Sequence, residues 1–259
     1  MQTEKVCEFI VDWLIDYSRH AGTKGFVVGV SGGIDSAVTS TLCARTGMQV
    51  LAVDMPIYQP QSQMELSARH IAWLEASFTQ VQGVRVDLTS AFQAVENTLP
   101  RDIQDDLTMA NTRSRLRMLT LYAFAAHHGM LVPGTGNKIE DFGVGFFTKY
   151  GDGGVDIAPI ADLMKSEVYA LGRHLGVVQE IMDVPPTDGL WADSRSDQDQ
   201  LGASYTELEQ AMQFAEQGGD PSFLSDRERE VLDIYTKLHA KNRHKMEPIP
   251  VAVIPGHLR

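Results

Sequence analysis

The sequence predicts an α/β protein: a parallel sheet doubly wound with helices on both faces, closed by a helical C-terminal segment. Three observations carry that prediction. Short apolar runs of strand length alternate with longer stretches of helical periodicity. The first run, residues 26–30, is continuously apolar, as a strand buried on both faces must be. Two glycine-rich loops, 31–36 and 134–137, leave the carboxyl ends of predicted strands, where sheets of this kind bind ligands.

The elements follow in order. Residues 3–20 form an amphipathic helix, with Val6, Ile10, Leu14 and Tyr17 at helical spacing. Strand 26–30 stops at Ser31-Gly32-Gly33, and a helix over 36–45 ends near Gly47. Residues 48–56 are a second strand cut off by Pro56. Helix 62–76 carries Leu66, Ile71 and Leu74, and residues 84–88, VRVDL, read as a third strand. The stretch 103–128 is one or two helices. Residues 129–137, GMLVPGTGN, read as a fourth strand entering a glycine-rich loop, and 155–160 as a fifth strand or an extended arm. Helix 164–175 has Gly176 as its C-cap. Residues 185–200 are polar, acidic and open on prolines, which suggests a mobile loop. The tail from about 203 is helical, with a capping-box start at Ser225 and Glu228.

A chain of 259 residues fits one large domain, or one with a small appendage. The formal net charge of -12 argues against nonspecific nucleic-acid binding, so any anion site needs clustered Arg or Lys, or a divalent cation. The two cysteines, Cys7 and Cys43, form no C-x-x-C, which argues against a disulfide framework or a zinc site. The N-terminus lacks a signal-peptide layout, and no apolar run is long enough to span a bilayer. The expectation is a cytoplasmic protein.

The first loop reads as a phosphate cradle. Two glycines let the backbone turn sharply, the freed N–H groups can converge on an anion, and the next helix presents its positive end. Ser31 and Ser36 add hydroxyls. It is not a Walker A loop, because no Gly-Lys-Ser/Thr occurs in the chain, nor a G-x-G-x-x-G fingerprint. S-G-G-x-D-S resembles the loop of the ATP pyrophosphatases, which cleave ATP between the α and β phosphates. In GTGNKIED, 134–141, Glu140 is placed to aim a carboxylate back at the site. Asp35 and Glu140 then supply hard oxygen ligands from two loops, a set that suits Mg²⁺. FFTKYGDGGVDIAP, 146–159, is a third polar loop, carrying Lys149, Asp152 and Asp156. Arg113, Arg115 and Arg117 alternate, so a regular helix cannot aim all three at one ligand.

The cradle, GTGNKIE, FTKYGDGGVDI and Lys165 together resemble the ammonia-dependent NAD synthetases over nearly the whole chain. The resemblance implies an adenine nucleotide alpha hydrolase-like fold, one synthetase domain over 1–259 and no glutaminase domain. It implies a carbon–nitrogen ligase that amidates deamido-NAD to NAD with ammonia. The nicotinate carboxylate attacks the ATP α-phosphate, pyrophosphate leaves, ammonia attacks the acyl-adenylate, and AMP departs. Gly29, Val30, Ser31, Gly32, Gly33, Ile34, Asp35 and Ser36 would hold ATP, joined by Met55, Thr135, Lys165 and Thr187. Asp35 and Glu140 would hold Mg²⁺. Arg115, Lys149, Asp156, His244 and Lys245 would contact deamido-NAD, with Asp156 also a candidate for the ammonia side. Asp35, Lys165 and Asp156 are the candidate catalytic residues, and a homodimer is implied.

Two departures stand out. The family's Asp-Glu-x-x-Leu-Gly reads Asp197-Gln198-Asp199-Gln200-Leu201-Gly202 here. Where some members have an arginine after the second strand, this chain has Asp54, which suits a ribose hydroxyl. The rival readings are another ATP-pyrophosphatase ligase, GMP synthetase-like, and a non-catalytic regulator that binds adenine nucleotides.

Overall fold

Three parallel strands form the centre of the fold: β1 (Gly25–Gly29), β2 (Gln49–Asp54) and β3 (Val81–Arg85), in the order β1-β2-β3. The structure is a computed structural model and describes residues 1–186 and 196–259. Val27 lies opposite Leu51, and Ala52 opposite Gly83. Beyond β1 the sheet continues in fragments: Leu131 bridges Phe26, and Ile157 bridges Pro133, both in parallel.

Those fragments correct the expected fourth strand over 129–137. The backbone there runs where a strand should, donating Leu131 N–H to Gly25 O and accepting from Val27 N–H. Neither edge completes a ladder. On the β1 side Pro133 has no N–H to give. On the other side, where Val132 O and Gly134 N–H pair with residues 156 and 157, Val132 N–H is taken by a side chain, the Asp156 carboxylate at 2.8 Å. Residues 155–160 are accordingly the extended arm of the two expected alternatives. The third strand starts three residues earlier than its apolar pattern suggested, because Gly83 interrupts that pattern; it ends at Arg85, short of Asp87, which accepts from Thr89 N–H.

Helices cover both faces, as predicted. Here α1 (Thr3–Ala21), α2 (Ile34–Arg45), α3 (Gln61–Ser77) and α6 (Lys165–Leu175) bury Leu14, Leu42, Leu74 and Leu171 with Phe26, Val28, Val50 and Ala52. On the other face α4 (Thr89–Thr98) and α5 (Asp106–His128) bury Phe92 and Leu121 with Val27, Leu51 and Val53. Alternate residues of one strand thus serve two cores. α5 is a single helix, capped by Asp105, whose carboxylate accepts from Thr108 N–H. A short α7 (Gln179–Met182) follows α6.

The C-terminal segment is helical: α8 (Asp197–Leu201), α9 (Tyr205–Glu216) and α10 (Asp226–Met246). Its third apolar cluster packs Leu208, Met212, Val231 and Tyr235 against Ile139 and Val144. Those two bracket a π-helical turn, Ile139–Val144, on which Glu140 rides. Among the described residues no helix is long and apolar enough to cross a membrane.

Candidate active site

The cradle is braced by its own serines. Ser31 N–H reaches Ser36 Oγ at 3.2 Å, Ser36 Oγ donates to Gly33 O at 2.9 Å, and Gly33 N–H reaches Ser31 Oγ at 3.2 Å. No side chain caps the first turn of α2. The amides of Ile34, Asp35 and Ser36 therefore lack an intrahelical partner and form a positive rim for an anion. Gly32 is required twice over. Its φ is +86°, and a Cβ would sit 3.1 Å from both Leu66 Cβ and Ser67 N of α3.

Two carboxylates, one from the first turn of α2 and one from the π-helical turn, then converge on one ammonium. Lys165 Nζ lies 2.6 Å from Asp35 Oδ2 and 2.9 Å from Glu140 Oε1, and its side chain is almost fully buried. Burial alone would favour the neutral amine; the two carboxylates override it and hold Lys165 protonated, above the ordinary lysine range. For Asp35 burial pushes the carboxyl up, and the Lys165 ammonium pulls it back. Asn137 Nδ2 donates to Asp35 Oδ1 at 3.1 Å, and Asn137 Oδ1 accepts Glu140 N–H at 3.2 Å, so one buried amide aligns both loops. Tyr205 Oη is 2.5 Å from Glu140 Oε1 and 2.8 Å from Asp197 Oδ2, and Lys165 Nζ lies 4.6 Å from the centre of its ring. Asp141, beside Glu140, is held well above the usual carboxylate range by burial and then by the charge of Glu140. Gly136 makes room for it: a Cβ there would fall 2.1 Å from Asp141 Oδ1.

A cavity of about 280 Å³ opens over this cluster. Gly29 to Ser36, Met55, Thr135, Glu140 and Lys165 line it, so these expected ATP and metal residues share one space. Thr187 lies outside the described residues. Asp54 also lines the cavity, with its Oδ2 accepting from Arg85 Nε at 2.6 Å. Arg117 and Asp152 face the same space. Arg117 donates to Met55 O and to Gln59 Oε1, while Arg113 stacks over Phe92 at 5.0 Å. Asp152 Oδ1 accepts from Ser114 Oγ and Thr148 N–H, which partly offset the burial that pushes its carboxyl up.

The expected substrate contacts form a second group. Asp156 does not line the cavity; its oxygens accept from Tyr122 Oη at 3.0 Å and Val132 N–H. Arg115 Nε reaches Lys149 O at 3.3 Å, and Lys149 Nζ donates to His244 O at 2.7 Å. Lys245 Nζ donates to the carbonyls of Gly145 and Phe147. The end of α10 is thus tied to the loop after the π-helical turn. Asn137, Tyr205 and Asp152 have no role that the sequence alone assigns. Asn137 stands in plain view three residues before Glu140, whereas Tyr205 looks like one more apolar position of a tail helix. A separate cavity of about 760 Å³, lined by Phe142, Met212, Tyr235 and His239, contains none of the cluster.

A family model described as NAD synthase matches residues 6–249. The chain is 34% identical over 246 residues to the NH(3)-dependent NAD(+) synthetase of Mycoplasma genitalium, covering 94% of each. Among solved structures, an NMN synthetase from Francisella tularensis is similar with a TM-score of 0.85, at 30% identity and 99% coverage of both chains. An NH3-dependent NAD synthetase from Campylobacter jejuni is similar with a TM-score of 0.80, at 25% identity, over 98% of this chain and 100% of that one.

Proposed function

Because the chain belongs to the NAD synthase family, we propose that it amidates deamido-NAD to NAD with ammonia and ATP, through an acyl-adenylate, releasing AMP and pyrophosphate. The observation that carries this reading is the Asp35–Lys165–Glu140 cluster at the mouth of the serine–glycine cradle. It puts anion donors and cation ligands side by side, as pyrophosphate departure requires.

Asp35 and Glu140 fit Mg²⁺, since they present two hard carboxylates from different elements to the cavity that the phosphates would enter. Bound there, Mg²⁺ would neutralise charge on the phosphates and on leaving pyrophosphate. The cradle amides hold the phosphates, and Lys165, kept protonated, follows the charge that develops on the leaving group. The nicotinate carboxylate attacks the α-phosphate in line. Ammonia, as the free base, then attacks the acyl carbon, and its surplus proton needs an acceptor. Asp152 suits that role better than Asp156, because it faces the cavity and both its side-chain bonds use Oδ1. Arg115, Lys149, Asp156, His244 and Lys245 are proposed to receive the dinucleotide. The setting is cytoplasmic, where ATP and the dinucleotide are made.

The same chemistry on the mononucleotide acid is a second reading, supported by the likeness to an NMN synthetase. One experiment separates the two. Purified protein is incubated with ATP, Mg²⁺, ammonium and either deamido-NAD or nicotinate mononucleotide, and amide product and AMP are quantified. The first reading expects a kcat/KM at least tenfold higher for deamido-NAD. A preference for the mononucleotide selects the second reading, and AMP release with neither acid overturns both.

A further inference from the structure

We propose that α9 is the positioning element of the active site: Tyr205 fixes the Glu140 carboxylate, and Glu209 fixes the first turn of the helix that carries Lys165. The inference rests on the ligase reading above, but the residues lie outside both cradle loops and neither lines the cavity.

Tyr205 occupies the first position of α9 and Glu209 lies four residues on, so both project from one face. Tyr205 Oη meets Glu140 Oε1, the oxygen that also faces Lys165 Nζ. Its other contact, Asp197 Oδ2, ties α8 to the same point. One turn along α9, the Glu209 carboxylate accepts Ser166 N–H at 2.8 Å and Ser166 Oγ at 2.7 Å. Ser166 immediately follows Lys165 in the first turn of α6. The residue at that helix's N-cap is Met164, which has no oxygen to offer the free amides. Glu167 of the same helix takes the Met164 N–H at 3.0 Å, whereas the Ser166 amide is met from another helix, by a buried glutamate.

α9 is itself anchored at the end that matters. Ser204 and Glu207 form a reciprocal capping box, and Arg227 of α10 pairs with Glu207 at 2.8 Å and donates to Gly202 O. A helix held this way can keep two reacting side chains in register while ligands exchange around them. Packing alone would be served by leucine or phenylalanine at both positions. A hydroxyl on Glu140 and a carboxylate on the first turn of α6 are what orientation requires, since partners behind a ligand carboxylate set its direction.

The test uses Tyr205→Phe, which keeps the ring against Lys165 and removes only the hydroxyl, and Glu209→Gln, which keeps the shape. Both full-length proteins are assayed for kcat and KM. Mn²⁺ binding is followed by electron paramagnetic resonance with α,β-methylene-ATP present. For Tyr205→Phe the expectation is an Mn²⁺ Kd raised roughly tenfold or more, a comparable fall in kcat, and KM for the acid substrate within about twofold. For Glu209→Gln, kcat falls several-fold while Mn²⁺ affinity holds, because its handle is on Lys165. In a Glu140→Gln background, Tyr205→Phe should change Mn²⁺ binding by less than about twofold, since coupled residues are not additive. Wild-type Mn²⁺ affinity and kcat in Tyr205→Phe would overturn the proposal, as would its full effect persisting without the Glu140 carboxylate. If unaltered protein forms no amide product, the ligase reading fails, while the Mn²⁺ arm still judges the role of Tyr205.

Discussion

Asp35 shows how much one residue carries. It sits in the first turn of α2, accepts from Asn137 and faces Lys165 at 2.6 Å. Asp35→Asn should abolish AMP and pyrophosphate release, a loss of several kcal/mol of transition-state stabilisation. The fold should survive, because Lys165 keeps Glu140 as a partner; turnover close to normal in a variant with unchanged circular dichroism would remove Asp35 from the chemistry. His70 makes a prediction of another kind. It is fully buried, with Nε2 2.9 Å from Ser40 Oγ, and burial pushes its pKa down to about 4. Its folded value lies below its unfolded value, so the unfolded chain binds the extra proton. Stability is therefore intact above pH ~6.5 and falls as pH drops toward 4, by about 2 kcal/mol at pH 5. The Tm of His70→Phe should fall less between pH 7 and pH 5 than that of the unaltered protein, and parallel slopes would refute the assignment. At this scale the sequence exposed residues whose chemistry is unusual for their place, such as a carboxylate in a glycine loop. It hid Tyr205, whose helical register is that of an ordinary core position, because only tertiary packing brings Glu140 to it.

Elements were legible wherever periodicity and capping agreed. α1, α6 with Gly176 in the left-handed region, and α10 with its Ser225–Glu228 capping box all stand where their patterns put them. The fourth strand failed for a reason no hydropathy pattern contains: a carboxylate 24 positions away takes the amide that a ladder needs. The cradle offers an element-scale test, because positive φ and close approach can be separated. Gly32 has φ +86° and α3 against it, whereas Gly47 has φ +72° and no atom within 4 Å of the point where a methyl group would sit. Both alanine variants should lose about 1 kcal/mol or more of stability from the left-handed backbone. Only Gly32→Ala must also shift α3 or the cradle, so it alone should raise the KM for ATP several-fold. Equal KM values in the two variants would show that the approach of α3 does not shape the nucleotide site.

Among the apolar side chains that the described residues leave exposed, those on α5 lie beside the proposed substrate contacts. The apolar stretch late in α5 divides: Leu121 and Ala125 pack on the sheet, while Leu119 and Tyr122 stay exposed, at 67% and 36%. With Leu107 and Arg115, four-residue steps continue those exposed side chains along one face of the helix. Arg115 meets the Lys149 backbone, so two proposed dinucleotide contacts border the same stripe. We propose that a second copy of the chain covers it across a two-fold axis, which would bring the dinucleotide site to the interface. An apolar centre with a charged margin is the composition such an interface needs. Sedimentation at low micromolar concentration should then give a species of about twice the 28.6 kDa chain mass. Leu119→Asp, which puts a charge at the centre and touches no cradle residue, should yield monomers. Those monomers should show a KM for the acid substrate raised at least several-fold, with the KM for ATP nearly unchanged, because only the former depends on the covered face. A fully active species at the single-chain mass would refute the dimer. A dissociated variant with both KM values unchanged would retain the dimer but detach it from the site.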